Sequence, residues 1–388
     1  MIKRLSEEFY QLYQEEKDAV FFSPGRVNLI GEHTDYNGGM VFPCAITIGT
    51  YALVKERVDR KLRLYSNNFK EKGIIEVSLD DLHYEEKDNW ANYVKGVFYH
   101  LQMAGYVISH GFDLLIEGTI PHGSGLSSSA SLEVLIAVIA KDMLHLPLDL
   151  IPLIKLCQKA ENEFIGVNCG IMDQFIIAMG KKDQAVALNA GTLSYRHVPI
   201  SLKDACIVIM NTNKKRELAD SKYNERRAEC EITLKELQNA VKIAHICDLI
   251  PEQLEEYRSF IQDDIRYRRV KHAISEHARV KKAIEALRKN DITRFGELTN
   301  ESHRSLRDDY EVTGKELDTL VSSAWKQKGV IGARMTGAGF GGCAIALVKR
   351  EAVEAFQRNV KAEYERIIGY PCDFYIAQVG DGAGRIDA

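Results

Sequence analysis

Residues 121–130 read Pro-His-Gly-Ser-Gly-Leu-Ser-Ser-Ser-Ala, and this loop lies between a predicted strand at 112–117 and a strongly apolar helix. Glycines let a backbone approach an anion. A helix start supplies free N–H groups and the positive end of its dipole, and serine hydroxyls bind phosphate or a metal ion. The loop lacks the Walker Gly-Lys-Ser/Thr, and Ser128 stands where the dinucleotide fingerprint needs its third glycine. Such a turn is as often structural as phosphate-binding, so the rest of the chain must decide.

The helix that follows this loop is predicted to be fully buried. One of its faces is aliphatic and consists of Leu132, Leu135, Ile136, Ile139 and Met143. The opposite face is apolar as well and consists of Val134, Ala137 and Val138. A helix that is apolar all round belongs in the interior of a protein. We therefore expect this helix to be a central element of the fold.

Residues 24–39 form the most specific polar loop, and they read Pro-Gly-Arg-Val-Asn-Leu-Ile-Gly-Glu-His-Thr-Asp-Tyr-Asn-Gly-Gly. Glu32, His33 and Asp35 combine hydrogen-bond acceptors with a switchable donor on glycine-flanked backbone. Such a set suits a ligand with several adjacent hydroxyls, which is a sugar. A solvated acidic turn is the alternative interpretation. A metal site is disfavoured because the spacing matches no familiar ligand pattern.

A third glycine-rich stretch, residues 335–342, reads Met-Thr-Gly-Ala-Gly-Phe-Gly-Gly and precedes a predicted strand. No helix follows it, so the pattern disfavours a dinucleotide-binding turn. We expect a tight turn that packs against the loop at 121–130. A glycine hairpin with no ligand is the alternative.

The composition describes an ordinary globular protein, with 45% apolar residues, 27% charged residues and 8 prolines among 388. At about 150 residues per domain, this length predicts two or three domains. The 51 Lys and Arg against 55 Asp and Glu give a formal charge of −4. Net acidity argues against general nucleic-acid binding, which requires clustered basic residues. The basic stretch 266–272 keeps a helical rhythm of apolar residues, so we interpret it as the charged face of a packed helix.

The sequence carries no pattern of export or membrane insertion. Glutamates follow the start where a signal peptide needs an apolar stretch. The longest aliphatic run, residues 134–140, is far shorter than the ~20 residues that span a bilayer. Eight dispersed cysteines include no Cys-x-x-Cys pair. We interpret them as reduced thiols of a cytoplasmic protein.

The order of the predicted elements indicates an α+β fold with mixed sheets, because strands and helices alternate without a regular βαβ beat. We predict a domain boundary near residue 190, with an N-terminal domain at 1–190 and a C-terminal domain at 191–388. The predicted helices are 5–16, 90–106, 150–164 and 351–367, with a long helical region that ends near 326. The predicted strands are 45–58, 61–66, 73–79, 112–117, two at 185–199, 205–210, 343–348 and 373–379. Residues 23–39 are predicted to be a loop.

The three glycine-rich stretches, in this order, resemble the GHMP kinase superfamily, which binds ATP through a loop unlike Walker's. Residues 25–37 are similar to the galactokinase signature within it. The resemblance implies a two-domain GHMP-kinase fold with the active site between the domains. It also implies transfer of the ATP γ-phosphate to the anomeric hydroxyl of α-D-galactose, at the start of galactose catabolism by the Leloir pathway. No obligate protein partner is expected.

Two catalytic residues are implied by the resemblance. The family's base maps onto Asp173, within Cys-Gly-Ile-Met-Asp-Gln-Phe at 169–175, and its catalytic arginine maps onto Arg26. The residues themselves agree, since Asp173 is the only charge in the apolar run 171–179. A buried acid is costly there unless a cation pairs with it or a substrate uses it.

The resemblance also implies the binding residues. For the sugar they are Glu32, His33, Thr34, Asp35, Gly170 and Tyr223. For ATP they are Ser66 and the loop residues Gly123, Ser124, Gly125, Leu126, Ser127, Ser128 and Ser129, with Trp90 as a weaker candidate. For Mg²⁺ they are Ser129 and Glu161.

Several alternatives stay open at this point. Helical spacing does not separate Glu161 from Glu163 as a metal ligand. Tyr223 has the alternative of an exposed helical tyrosine, and Trp90 that of a core residue. A sugar sensor that binds ATP and galactose and signals through a partner is a rival function. A kinase for N-acetylgalactosamine or another sugar is a nearer one.

Overall fold

The computed structural model describes residues 1–121, 123–202, 204–214 and 219–387 of the chain. The strands are β1 (Ala19–Asn28), β2 (Met40–Val41), β3 (Pro43–Glu56), β4 (Lys61–Ser66), β5 (Ile75–Ser78), β6 (Phe112–Gly118), β7 (Gln184–Asn189), β8 (Tyr195–Pro199), β9 (Ala205–Asn211), β10 (Val330–Thr336), β11 (Cys343–Lys349), β12 (Asp373–Ala377) and β13 (Gly384–Arg385). The helices are α1 (Ile2–Tyr13), α2 (Ala91–Met103), α3 (Ser128–Met143), α4 (Leu150–Lys159), α5 (Met172–Met179), α6 (Ala219–Leu237), α7 (Pro251–Glu256), α8 (Asp264–Arg288), α9 (Ile292–Asp308), α10 (Gly314–Trp325) and α11 (Val353–Ile368).

The described strands form three sheets. The largest has the order β13-β1-β3-β6-β4-β5, and its β4 and β6 are parallel while the other pairs are antiparallel. The second sheet has the order β10-β11-β9-β12 and is antiparallel. A small sheet has the order β2-β7-β8. The prediction of an α+β fold with mixed sheets is confirmed.

Strand β1 corrects the prediction of a loop that begins at Ser23. Residues 19–28 pair with β3 in antiparallel register, with a shift between Pro24 and Gly25. Proline and glycine inside a strand are typical of such irregularities, which is why the sequence indicated a loop. A Cβ on Gly25 would lie 2.9 Å from the Leu126 carbonyl oxygen. The glycine therefore lets the loop at 121–130 lie directly against the strand.

Helix α3 is the buried central element that its pattern predicts. Its two faces pack against α2, α5 and the largest sheet, and Val134, Leu135 and Ile136 are fully buried. Burying aliphatic side chains of this size stabilises the fold by about 1.5–3 kcal/mol each. The helix thus fixes its own N-terminus, and with it the serines at 127–129, relative to the sheet.

The basic stretch within α8 is helical, as predicted, and one of its arginines is buried. Arg269 is 1% exposed and forms ion pairs with Glu229 and Glu311. No disulfide links cysteines within the described residues. None of the described helices has the length and apolarity that crossing a bilayer requires. The predicted boundary near residue 190 falls in the turn between β7 and β8, and the boundary itself stays a prediction.

Candidate active site

A cleft of about 250 Å³ opens where the loop after β1, the N-terminus of α3, α5 and α6 meet the turn after β10. Most of the predicted site residues line it together, although they come from positions 26 to 223 of the chain. The predicted residues in its wall are Arg26, Glu32, His33, Asp35, Gly123, Gly125, Ser127, Ser128, Ser129, Glu161, Gly170, Asp173 and Tyr223. The structure therefore brings candidates for catalysis and for sugar, ATP and Mg²⁺ binding together in one cleft.

Arg26 and Asp173 form a bidentate ion pair in the cleft. The Arg26 Nε donates to Asp173 Oδ1 at 2.9 Å, and its Nη2 donates to Oδ2 at 2.8 Å. The third Arg26 nitrogen, Nη1, donates to the Gly125 carbonyl at 2.7 Å, and the Ser127 hydroxyl donates to Asp173. The arginine side chain is 5% exposed and the aspartate side chain 28%. A buried cation thus holds a carboxylate that still faces the cleft, beside the phosphate-loop candidate.

Three donors hold the Glu32 carboxylate, one from the nearby end of β1 and two from the distant segment at 334–337. The Asn28 amide donates to Oε2 at 2.9 Å, and the Gly337 N–H donates to Oε1 at 2.8 Å. The fully buried Arg334 lies 3.4 Å from Oε1. Burial raises the pKa of Glu32, while the positive charges of Arg334 and Arg26 act in the opposite direction. The carboxylate is therefore fixed in one orientation at the wall of the cleft.

Asp35 and Gly170 are in very close contact on the same wall. A Cβ on Gly170 would lie 1.7 Å from Asp35 Oδ2, so a side chain at position 170 would displace the Asp35 carboxylate. Burial, with a further contribution from the Asp173 charge, raises the pKa of Asp35 to about 6. Tyr223 on α6 faces this wall, and its ring centroid lies 5.7 Å from that of His33. The exposed alternative for Tyr223 is wrong, because it lines the cleft.

Glu161 and Ser129 meet at the other end of the cleft. The Ser129 hydroxyl donates to Glu161 Oε1 at 2.8 Å, and the Gln174 amide donates to Oε2 at 2.6 Å and to Glu133 at 3.1 Å. Glu161 is 7% exposed, whereas the side chain of Glu163 is 61% exposed. The structure thus separates two glutamates that helical spacing did not, since a π-helical turn at Ala160–Ile165 turns only Glu161 inward.

A second, adjoining cleft of about 590 Å³ shares Ser128 and Ser129 with the first. Ser66 at the end of β4 and Trp90 before α2 line it. The apolar and aromatic wall around Trp90 suits the flat face of a base. Ser66 and Trp90 thus lie on the far side of the serine-rich loop from Asp173.

Three predicted residues do not line either cleft. The Thr34 hydroxyl is buried and donates to the Gly31 and Met40 carbonyls. Leu126 is a fully buried core residue, and its backbone oxygen accepts from the Arg26 N–H. Ser124 is 1% exposed, with no hydrogen-bond partner for its hydroxyl among the described atoms. Their side chains support the two loops from behind.

The turn after β10 packs against the phosphate-loop candidate, as the glycine pattern predicts. Gly337 has a φ of +85°, and a Cβ there would lie 3.0 Å from the Gly125 carbonyl oxygen. Gly337 and Ala338 also line the cleft. The turn is therefore part of the site wall as well as its support.

Sequence reasoning missed the residues that hold the site from behind. Asn28, Arg334 and Gln174 orient Glu32 and Glu161 through the hydrogen bonds described above. Tyr36 also lines the cleft, although the predicted sugar-binding residues include its neighbours Thr34 and Asp35 and not Tyr36. Arg334 is fully buried within the otherwise apolar strand β10. A charged residue in an apolar stretch could have identified it from the sequence, because a buried charge requires a partner.

Comparisons with known proteins agree with this geometry. Residues 7–56 match the galactokinase galactose-binding signature, residues 92–181 the N-terminal domain of GHMP kinases, and residues 283–366 their C-terminal domain. A galactokinase from Clostridium beijerinckii is 56% identical over 385 residues, 99% of each chain. One from Ligilactobacillus salivarius is 55% identical over 98% of each chain.

The fold has the same likeness. The crystal structure of Lactococcus lactis galactokinase complexed with galactose superposes with a TM-score of 0.97 at 51% identity. The match covers 99% of this chain and 100% of that one.

Proposed function

Because this chain belongs to the galactokinase family of the GHMP kinases, we propose that it transfers the ATP γ-phosphate to the anomeric hydroxyl of α-D-galactose and releases galactose 1-phosphate. Phosphorylation of galactose by ATP is the activity of this family. The point of transfer and the role of each residue are the proposal. It is supported by the placement of the polar loop, the serine-rich loop and the Arg26–Asp173 pair in one cleft.

The sugar lies in the cleft against the wall that Glu32, Asp35 and Tyr223 form. Glu32 and Asp35 accept hydrogen bonds from sugar hydroxyls, the ring of Tyr223 forms an apolar side for the carbons, and His33 contacts the sugar beside it. Gly170 keeps Asp35 in place, because any side chain at this position would displace its carboxylate. Thr34 contributes from behind, through the hydroxyl that fixes the loop backbone.

Asp173 orients the attacking hydroxyl and takes its proton late in the transfer. Phosphoryl transfer passes through a loose transition state, so positioning and neutralisation of charge matter more than early proton removal. Arg26 stabilises the charge on the transferred group and orients Asp173 through its two hydrogen bonds. Both side chains are in place before substrate binds, so no energy is spent on arranging them during the reaction.

The ATP phosphates lie along the serine-rich loop at the N-terminus of α3, and the base occupies the cleft with Ser66 and Trp90. Gly123 and Gly125 leave room for the phosphates, and Ser127 to Ser129 offer N–H groups and hydroxyls at the positive end of the helix dipole. This placement directs the γ-phosphate toward Asp173. Leu126 and Ser124 support the loop.

The residues at Ser129 and Glu161 fit a magnesium ion. Mg²⁺ prefers hard oxygen ligands and keeps several waters, and this end of the cleft offers a hydroxyl and a carboxylate. Burial raises the pKa of Glu161 and raises that of the neighbouring Glu133 well above its usual range. Two carboxyls placed together in this way favour a cation. Mg²⁺ bound there supplies charge neutralisation to the ATP phosphates.

The setting of the enzyme is also part of the proposal. We place it in the cytoplasm, since the cysteines among the described residues form no disulfide. We also propose that it acts in galactose catabolism without an obligate protein partner. The predicted division into domains 1–190 and 191–388 puts the cleft between them, because Tyr223, Gly337 and Ala338 come from the second half.

The single observation that carries the proposal is the cleft-facing Arg26–Asp173 pair beside the serine-rich loop. A coupled ADP-release assay with galactose, its 2-amino and 2-acetamido forms, glucose and arabinose tests it. We expect the highest kcat/KM with galactose and phosphate at the anomeric oxygen of the product. Faster turnover of the 2-acetamido sugar would assign another substrate, and galactose binding without ADP release would indicate a sensor.

A further inference from the structure

A chain of buried hydrogen bonds leads from His33 in the cleft wall into the C-terminal half of the protein. His33 Nδ1 lies 2.8 Å from the Tyr36 hydroxyl, which lies 2.8 Å from the Tyr310 hydroxyl. The Tyr310 oxygen lies 3.2 Å from Cys230 Sγ on α6. On its other side, His33 Nε2 lies 3.2 Å from the Ala338 carbonyl oxygen. Tyr310 is fully buried and Cys230 is 1% exposed.

The direction of every hydrogen bond between Ala338 and Cys230 in this network follows from one acceptor, the Ala338 carbonyl oxygen. A carbonyl oxygen only accepts, so the His33 Nε2 that faces Ala338 must carry the proton. In a neutral imidazole Nδ1 is then the acceptor, and the Tyr36 O–H donates to it. The Tyr36 oxygen in turn accepts from Tyr310, and the Tyr310 oxygen accepts from the Cys230 S–H. Each hydroxyl has one proton, so no other assignment satisfies all four contacts with a neutral ring.

His33 is neutral in this environment. It is 5% exposed, and burial, with the nearby imidazole of His272, lowers its pKa to about 3. The positive charges of Arg226 and Arg334 act in the same direction. A doubly protonated ring, the remaining alternative for the network, is thereby excluded at neutral pH.

We propose that Tyr36, Tyr310 and Cys230 are positioning residues that hold His33 as the Nε2–H tautomer, so that the sugar wall presents a hydrogen-bond donor at this point. His33 and Ala338 both line the cleft, and under this proposal the N–H is shared between the Ala338 carbonyl and an oxygen of the bound ligand. Glu32 and Asp35 on the same wall are acceptors. A fixed donor beside fixed acceptors sets the direction of the hydrogen bonds that a polyhydroxylated ligand must make.

The network also explains the backbone at His33. This residue has a φ of +61°, a left-handed conformation that is uncommon for residues other than glycine, although histidine, like asparagine and aspartate, adopts it more often than most. The hydrogen bonds on both ring nitrogens hold it there. Because they connect the loop after β1 to α6, to the residues after α9 and to the turn after β10, the tautomer depends on the packing of both halves. The tautomer of His33 does not depend on the proposed function, and only its effect on sugar binding rests on that function.

Nitrogen NMR of the histidine side chains tests the tautomer without any substrate. With imidazole-labelled protein, and His33 assigned by loss of its signals in His33→Gln, we expect Nε2 to be protonated and Nδ1 to be an unprotonated acceptor. In Tyr36→Phe the Nδ1 signal shifts toward that of an unbonded nitrogen, and in Tyr310→Phe it shifts in the same direction by less. A wild-type ring with its proton on Nδ1 overturns the proposal.

The kinetic test separates positioning from simple loss of stability. Tyr36→Phe and Tyr310→Phe should raise the KM for galactose about tenfold, the effect of one lost hydrogen bond, with a much smaller change in kcat. The matched control is Tyr364→Phe, since the buried Tyr364 hydroxyl donates to the Thr212 carbonyl at 2.7 Å and neither residue lines the cleft. Equal effects of all three variants on KM would overturn the proposal.

The two proposals fail separately. A wild-type protein that does not phosphorylate galactose refutes the proposed function, and the NMR result on His33 still decides the tautomer. An active enzyme whose His33 carries its proton on Nδ1 refutes the network alone. Cys230→Ser, which keeps a donor to Tyr310, should leave the His33 spectrum unchanged, and Cys230→Ala should alter it.

Discussion

Replacing Asp173 with asparagine separates two features of this carboxylate, which pairs with Arg26 and, in the proposed function, acts on the substrate. Asparagine keeps one oxygen that can accept from Arg26 Nε, now 2.9 Å from Oδ1. It loses the charge on Oδ2, which accepts from Arg26 Nη2 at 2.8 Å and from Ser127. Both of these hydrogen bonds are charge-assisted, and each contributes about 1.5–3 kcal/mol. Against a total stability of about 5–15 kcal/mol, the variant stays folded.

The catalytic loss in Asp173→Asn should appear in kcat of the folded enzyme, separately from any loss of stability. Removal of a general base lowers kcat by about 10²–10⁴, which corresponds to about 2.7–5.5 kcal/mol of transition-state stabilisation. Coupled ADP release at saturating galactose and ATP measures kcat, and thermal unfolding with and without galactose reports on folding and sugar binding. Arg26→Lys is the companion variant, since it keeps a cation and loses the bidentate contact.

Two outcomes would refute this reasoning. A folded Asp173→Asn enzyme with a kcat within about tenfold of wild type would show that Asp173 does not act on the proton. An Arg26→Lys enzyme with unchanged kcat would show that the bidentate geometry has no part in the transfer.

Three further perturbations follow from the same site. Glu161→Gln should raise the Mg²⁺ concentration needed for half-maximal activity by about tenfold or more. Glu163 is two positions away and exposed, so Glu163→Gln should leave that concentration unchanged. Equal effects of the two variants would contradict the metal assignment. Gly170→Ala should raise the galactose KM by at least about tenfold, because its Cβ would displace the Asp35 carboxylate, whereas Gly384→Ala, which has open space around it, should leave the KM unchanged. Asp35 has a raised pKa of about 6 in the folded protein against 3.8 unfolded, so the galactose-free protein loses stability as pH rises from about 4 through about 6. Asp35→Asn should therefore raise the melting temperature at pH 7.5 and have little effect near pH 4, and a lower melting temperature at pH 7.5 would contradict this.

Local patterns predicted much of the fold. Helix α3 and the loop before it were identified because apolar periodicity and glycine spacing act over a few residues. Strand β1 was mistaken for a loop because Pro24 and Gly25 are strand breakers in isolation. Pairing with β3 along ten residues overrides that local preference. Strand β10 was missed because Gly332 and Arg334 interrupt its pattern, although its partner β11 follows it directly in the chain.

The candidate site was predictable in its cleft-lining residues and not in what supports them. Glu161 could not be separated from Glu163, because a π-helical turn changes the spacing from that of an α-helix. Arg334 and Tyr310 were missed because their hydrogen bonds join residues about 300 positions apart. Such contacts leave no periodic signal in a single sequence.

The hydrogen bonds between residues 28–33 and 334–338 couple the unfolding of the two halves of the protein. They join segments separated by about three hundred residues, through Asn28 N to the Thr336 hydroxyl, Gly337 N to Glu32 and Arg334 to the Asn28 carbonyl. A form in which only one half has folded therefore has no complete sugar site. In the proposed function galactose binds only the complete fold, so by mass action it should protect both halves together against proteolysis.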